Sequence, residues 1–529
     1  MRERAGVRPD STRRRRCGEL DPRRQRTVQT QRSRKVVLFL PRYTGKVFGP
    51  PLGLLSLAGS LRQAGFEPCV IDGAVTPDHH ARIAAEIVDC VCFGVSLLTG
   101  PMILDAIDIA RMVRRVRPEL PIVFGGWHPS LESAQTLRED YVDIVVRHQG
   151  DITLVELLNR LQARSSLDLL PGCWFKRDGR IVQNPDRAAL PLPDLAPPAY
   201  DLVDFDAYET AMGERQLPFA TSIGCPYACN YCTDMVFYQR RFNALGVDRV
   251  VADMTLLASR YRIANIALVD SNFPVDVPRA VAIAKGILSS GVRFRWSFQA
   301  STNLICRMSQ DDVDLLRNSG VHHIGFGTES ASPDVLRYMN KSHQNIPEMF
   351  ETASKCQKAG IRVTFNLIFG FPGEQACHRA ETLRIMGEIA ARYPNVSFSP
   401  NLFTPYPGIP IWPELRERGL QEPANLEAWA QVHLGANNLP WLTGASLKAL
   451  ERSIRYVLLH NRLRRAASGR RLRHFLLKPV FAVLEWRIRN SRFRAPIELA
   501  LANTRRRLIV RRSLLTGQPL SNRFARSIH

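Results

Sequence analysis

Ile223-Gly224-Cys225-Pro226-Tyr227-Ala228-Cys229-Asn230-Tyr231-Cys232 is the stretch on which the reading of this chain turns. It follows a short apolar run and spaces three thiols as C-x3-C-x2-C. With few residues between them, and Gly224 freeing the backbone, one loop can aim all three sulfurs at a single inorganic centre. Thiolates are the natural ligands of iron–sulfur clusters. A [4Fe–4S] cluster held by three cysteines keeps one iron open to a further ligand. A structural zinc site takes four ligands, and the chain has no second C-x2-C pair to complete one.

Around this loop, strands alternate with helices between residues 219 and 403. Short apolar runs predict strands at 220–223, 263–269, 294–299, 323–327, 362–368 and 396–403. Such units fit a partial or complete β/α barrel, with its chemistry at the carboxyl ends of the strands. Upstream, residues 165–214 are broken by Pro171, Pro185, Pro191, Pro193, Pro197 and Pro198 and read as a linker. A small hairpin is expected there around 174–182, turning at Asp178-Gly179. Earlier still, β-branched runs at 36–40, 68–72, 90–96, 122–125 and 142–146 alternate with helical periodicity at 54–64, 80–87, 101–116 and 131–138. That alternation implies a Rossmann-like, doubly wound parallel sheet over 35–164. The fold class is thus α/β throughout, a Rossmann-like module followed by a barrel at 215–420.

The 529 residues carry a formal charge of +23, unevenly spread. Residues 1–35 have 13 basic side chains against 4 acidic, and residues 451–529 have 20 against 3. Between them, residues 36–450 have 39 against 42, so the near-neutral middle offers no continuous basic groove for nucleic acid. Residues 1–34 read as a disordered basic tail, or as a start upstream of the native one. Residues 421–529 become helical and Arg-rich, as in 470–486 and 497–515, where Arg is set among Leu, Phe, Val and Ile. That composition suits either a solvated, docked helical tail or a helix lying on an anionic surface. No stretch reaches the roughly 20 apolar residues that span a bilayer. The 11 scattered cysteines, without a secretion signal, point to a reducing, cytoplasmic setting.

C-x3-C-x2-C with an aromatic residue, here Tyr231, before the third cysteine resembles the signature of the radical S-adenosylmethionine (SAM) superfamily. Further segments fit in the same order. Leu268-Val269-Asp270-Ser271-Asn272-Phe273 resembles the acidic segment after the second strand. Gly325-Phe326-Gly327-Thr328-Glu329-Ser330 resembles the G-x-E-S segment beside the SAM ribose or amino group, and Asn366 to Glu374 the segment beside the adenine. The resemblance implies that Cys225, Cys229 and Cys232 hold a [4Fe–4S] cluster that reduces SAM to a 5′-deoxyadenosyl radical. It also implies that Tyr231, Gly327, Glu329 and Gly370 contact SAM. One departure stands out: a basic residue is common after the third barrel strand, where this chain reads Gln299-Ala300-Ser301-Thr302-Asn303.

A doubly wound module before such a barrel resembles the cobalamin-binding subclass. Pro50-Pro51-Leu52-Gly53, Gly94-Val95-Ser96-Leu97 and Gly125-Gly126-Trp127-His128-Pro129 carry that likeness, which implies corrin contacts at Gly94, Ser96, Gly125 and Gly126. The D-x-H-x-x-G motif of many cobalamin proteins is absent, since the chain reads Pro41-Arg42-Tyr43-Thr44-Gly45 there. No histidine ligand under cobalt is therefore expected from this loop, and His128 is expected to be a loop or core residue.

The family likeness implies a methyltransferase acting on an unactivated carbon of a small molecule or lipid, fed by a flavodoxin- or ferredoxin-type electron donor. Radical cyclisation or rearrangement on the same scaffold is the alternative. Methylthiolation would need a second cysteine triad. A nucleic-acid-binding protein using its Arg-rich ends is the reading from another class. For the C-terminal tail, peripheral membrane contact is a further expectation.

Overall fold

Val36, Val37, Leu38 and Phe39 are all buried, as a strand covered on both faces requires. In the computed structural model they form the middle of β1 (Lys35–Leu40). The structure describes residues 33–502, except 44–46, 48, 438, 468–470 and 494–495. Most of the expected N-terminal tail and the end of the expected C-terminal helical region lie outside the described residues.

β1 pairs in parallel with β2 (Glu67–Asp72) and β3 (Cys92–Ser96), and β4 (Ile122–Gly125) and β5 (Ile144–Val146) continue the sheet. The order β2-β1-β3-β4-β5 reverses direction between β1 and β3. In sheets of this kind ligands bind at that reversal, outside the carboxyl ends of the strands. The hairpin forms as β6 (Cys173–Arg177) and β7 (Arg180–Gln183), with Asp178 and Gly179 both at positive φ. It does not stand alone: β6 pairs antiparallel with β5 and extends the sheet to seven strands.

The second sheet is parallel throughout, in the order β15-β14-β13-β12-β11-β8. Its members are β8 (Gln216–Phe219), β11 (Asn265–Leu268), β12 (Arg295–Ala300), β13 (Val321–Glu329), β14 (Arg362–Phe369) and β15 (Val396–Leu402). Six strands with helices between them make a partial β/α barrel. Its first strand differs from the expected 220–223. β8 ends at Phe219, while Ser222–Ile223 (β9) turns away to pair antiparallel with Asn243–Ala244 (β10). Asp270, just beyond β11, causes the break by drawing Thr221 and Ser222 onto its carboxylate. At the far edge, Asn461 of helix Gly444–Ala467 bonds both the N–H and the carbonyl of Phe398 in β15, satisfying a strand edge that would otherwise be bare.

Buried hydrogen bonds tie the segment between the two sheets to a strand of each. Tyr208 Oη donates to Asp72 at 2.5 Å, and Tyr200 Oη donates to the Pro218 carbonyl at 2.6 Å. On the other flank Gln135 donates to the Pro423 carbonyl at 2.8 Å and accepts from Trp429 Nε1 at 2.7 Å. Close by, burial and the neighbouring Glu422 push the Glu132 carboxyl up to about 7. A carboxyl raised on folding favours the folded state below its unfolded pKa, roughly 4.3, and loses that contribution as pH rises through the folded value. Urea unfolding of Glu132→Gln should therefore show a flatter fall in stability between about pH 4.3 and 7 than the parent, with the variant gaining most at the alkaline end. Parallel curves for the two proteins would contradict this.

Candidate functional site

The cysteine loop leaves β9 through Gly224, whose φ is +76° and whose added Cβ would lie 1.9 Å from the Arg241 carbonyl oxygen. Only glycine allows that approach. Cys229 is buried and Cys225 and Cys232 are half-buried, all three as free thiols. Burial raises each thiol, that of Cys232 to about 12. Left alone they stay protonated at neutral pH. A metal cation at the trio reverses that preference, because a coordinating thiol gives up its proton.

Neighbouring elements fix the loop on several sides. Asn230 Nδ2 donates to the Tyr338 carbonyl at 2.8 Å, and Asn340 Nδ2 returns a bond to the Ala228 carbonyl at 2.7 Å. Tyr227 stacks on His343 with centroids 3.6 Å apart and accepts from Asn303 Nδ2 at 2.9 Å. At the entry to the loop, the buried Asp270 accepts the Thr221 N–H at 2.8 Å, Thr221 Oγ1 at 2.6 Å and Ser222 Oγ at 2.5 Å. Arg279 meanwhile holds the Thr221 carbonyl at 2.9 Å.

Glu329 ends β13 with φ +57° and is buried. Its Oε1 lies 3.5 Å from the Nζ of Lys341, also buried. Burial works against the Lys341 charge, but Glu329 and the three sulfurs outweigh it and raise the ammonium's pKa. Burial and the nearby Glu329 charge raise the Tyr231 phenol, whose ring meets Phe371 edge-on at 6.1 Å. Gly327 leaves room for that carboxylate, since a Cβ there would sit 2.7 Å from Glu329 Oε1. Gly370 answers to a different neighbour. Its φ is +77°, the space a Cβ would take is filled by Leu442 and Leu439, and Trp441 Nε1 donates to its carbonyl at 2.9 Å. Its need for glycine thus comes from the C-terminal segment packed over it.

A cavity of about 640 Å³ opens where the two sheets face each other. One wall comes from the carboxyl ends of β1, β3, β4 and β5 and carries Gly94, Ser96, Gly125 and Gly126; the other carries Phe219, Ser222, Ile223, Val269 and Ser271 from the barrel mouth. All four residues expected at a corrin are therefore together, and the cavity reaches the residues that lead into the cysteine loop. Gly126, at φ +89°, has backbone atoms of Leu97 2.9 and 3.0 Å from where a Cβ would stand. His128 lies in the core, edge-on to Trp429, with its Nδ1 2.9 Å from Thr99 Oγ1 and its pKa lowered by burial to about 3.

Sequence reasoning missed several members of this region. Lys341 reaches Glu329 only through the fold. Trp127 stacks on Phe237 at 4.2 Å across the cavity wall, and His148 meets Phe237 edge-on at 5.1 Å. His148 sits at φ +58°, and its buried Nδ1 has no hydrogen-bond partner. A non-glycine residue held at positive φ is a signal that appears only in coordinates. An orphaned donor or acceptor on a residue that lines the cavity fits a large ligand that bears amides of its own, as a corrin does. The three thiols of one loop, free of disulfides, likewise fit a cluster.

Comparison with known proteins follows the same lines. The B12 binding domain family matches residues 44–158, and the radical SAM superfamily matches residues 220–386. An uncharacterized methyltransferase of Pyrococcus horikoshii is 29% identical over 392 residues, covering 72% of this chain and 82% of the relative. Hopanoid C-3 methylase of Methylococcus capsulatus is 26% identical over 369 residues, covering 68% of each. Among solved structures, the radical S-adenosylmethionine methyltransferase TsrM from Kitasatospora setae, with cobalamin and [4Fe-4S] cluster bound, shares the fold. It gives a TM-score of 0.61 at 20% identity, over 74% of this chain and 76% of that one.

Replacing Asp270 with Ala strands buried donors and should cost about 1–3 kcal/mol. Because the lost bonds fix the entry to the cysteine loop, iron retained after anaerobic reconstitution should fall as well, and Asp270→Asn should recover part of it. Iron content unchanged in Asp270→Ala would show that the carboxylate does not position the loop.

Proposed function

We propose that in this chain, which belongs to the cobalamin-dependent (B12-binding) radical SAM enzymes, Cys225, Cys229 and Cys232 hold the [4Fe–4S] cluster. The reaction that the geometry supports best is methylation of an unactivated carbon in a small-molecule or lipid substrate. One observation carries this reading: a single cavity is walled on one side by the strand ends of the B12 module and on the other by the residues leading into the cysteine loop. When bound, the cluster supplies the electron that cleaves SAM, and the corrin supplies the methyl group.

The chain's own residues bind and exclude. Glu329 and Lys341 form a buried ion pair near the cysteines, and in this reading they take the amino and carboxylate ends of SAM. Lys341 would then provide the cation that the segment after β12 lacks. Tyr231 and Phe371 close that side against water, and Gly94, Ser96, Gly125 and Gly126 leave room for the corrin at the sheet edge. Trp127, Phe237 and Tyr238 wall the space between the two modules. A one-electron donor of flavodoxin or ferredoxin type must reach the cluster from outside. No helix among the described residues is long and apolar enough to cross a membrane. A lipid substrate, in this reading, is met at a bilayer surface through contact of the C-terminal region.

The test is anaerobic turnover of the reconstituted protein with hydroxocobalamin, SAM and candidate substrates, followed by mass spectrometry. Gain of one methyl group, dependent on cobalamin and lost in Cys225→Ala, is the expected outcome. Loss of hydrogen with cobalamin absent would point to oxidative cyclisation and overturn the methylation reading. In the same preparations Lys341→Met should weaken SAM binding on the order of tenfold or more, the scale of a lost charge-assisted hydrogen bond, while iron content stays near that of the parent.

A further inference from the structure

Helix Arg471–Arg489 packs one face on helix Ala376–Arg392, burying Phe481, Leu484 and Ile488. The contact is close, since the Arg489 backbone lies within 2.8 Å of where a Cβ on Gly387 would stand. The opposite face is apolar and uncovered. Leu472, Phe475, Leu476, Val483 and Trp486 are between 44% and 73% exposed, and Pro479 lies among them, also exposed. Their spacing places them on one stripe of an α-helix. Ile497 and Leu501, in the next helical turns, are exposed as well. Isolated exposed apolar residues are ordinary, but a continuous stripe ending in tryptophan marks an interaction surface.

Charge identifies the occupant. Every acidic residue of the segment 451–502 is already engaged: Glu451 with Arg455 at 3.8 Å, Glu485 with Arg464 at 2.6 Å and Glu498 with Arg487 at 2.7 Å. Arg462, Arg465, Lys478, Arg489 and Arg492 are exposed, and no described carboxylate lies within ion-pair distance of them. Lys478 lies 5.7 Å from the Phe475 ring, beside the stripe. A second copy would bring the same cations against these, and the sequence beyond residue 502 is basic too, with Arg505, Arg506, Arg507, Arg511, Arg512, Arg523 and Arg526 and no acidic residue. Like charge disfavours both as covers. An anionic surface with an apolar interior satisfies stripe and cations together.

We infer that the outer face of helix Arg471–Arg489 docks on an anionic lipid bilayer, seating Phe475 and Trp486 at the headgroup boundary with Lys478 and Arg489 over the phosphates. The inference deepens the proposed surface contact but does not rest on the methylation chemistry. Membrane flotation reads the docking face and product mass reads the reaction, so either can fail without the other.

The experiment floats the full-length, cofactor-reconstituted protein on phosphatidylcholine vesicles with and without one-third phosphatidylglycerol. The parent should float with the anionic vesicles, lose that binding in high salt, and stay unbound on pure phosphatidylcholine. Phe475→Glu combined with Trp486→Glu should reduce flotation on the order of tenfold or more, with iron content and circular dichroism unchanged. Lys478→Glu combined with Arg489→Glu, which leaves the stripe intact, should reduce it too and serves if the first variant misfolds. Parental flotation in both variants would assign any binding to the Arg-rich end and overturn the inference. So would failure of the parent to float, or a parental dimer in sedimentation that the stripe variant converts to monomer.

Discussion

Among the described glycines the tightest approach lies where Gly224 meets the Arg241 carbonyl, at a distance that excludes any side chain. From that contact the chain turns out of β9 and brings three thiols inward. The surroundings disfavour the thiolate form unless a cation is present, since burial raises every one of the thiols. Asp270 and Arg279 hold the entry, the turn at Tyr338–Asn340 holds the far side, and Tyr227 on His343 closes the outer flank. What the fold builds is a loop held from several sides, so the conformational cost of placing the proposed ligands is met on folding.

The second requirement is that the two modules keep a fixed spacing. Tyr208–Asp72 and Tyr200–Pro218 tie the connecting segment to a strand of each sheet, and Gln135 with Trp429 and Pro423 joins segments far apart in sequence on the other flank. Between them lies the cavity at the β1–β3 reversal. Its position follows from topology, and its opening toward Ser222 and Val269 follows from the break after β8. The carboxylate that positions the cysteine loop therefore also shapes the wall of the cavity. Catalysis by a radical needs that coupling, because reacting groups must be held close while water is kept out.

Much of this was legible in the sequence, for identifiable reasons. Strands buried on both faces read as continuous β-branched runs, so β1 through β5 fall within a residue or two of expectation. The cysteine spacing is local chemistry and needs no fold to be seen. Other features depend on tertiary placement. Lys341 carries no signal of its own until β13 and the following helix bring it back to Glu329. Gly370 fits a ligand-binding loop by position, yet Leu439 and Leu442 occupy the space beside it. The hairpin was expected inside a linker, but edge pairing with β5 cannot be read from a turn. His148 is an unremarkable histidine until its φ of +58° is known.

The central claim is that three cysteines leave one iron open to SAM, and electron paramagnetic resonance of the reduced, anaerobically reconstituted protein tests it most directly. The account predicts about four irons per chain and a cluster signal that changes when SAM is added. A cluster signal indifferent to SAM, or a protein that retains no iron, would contradict it.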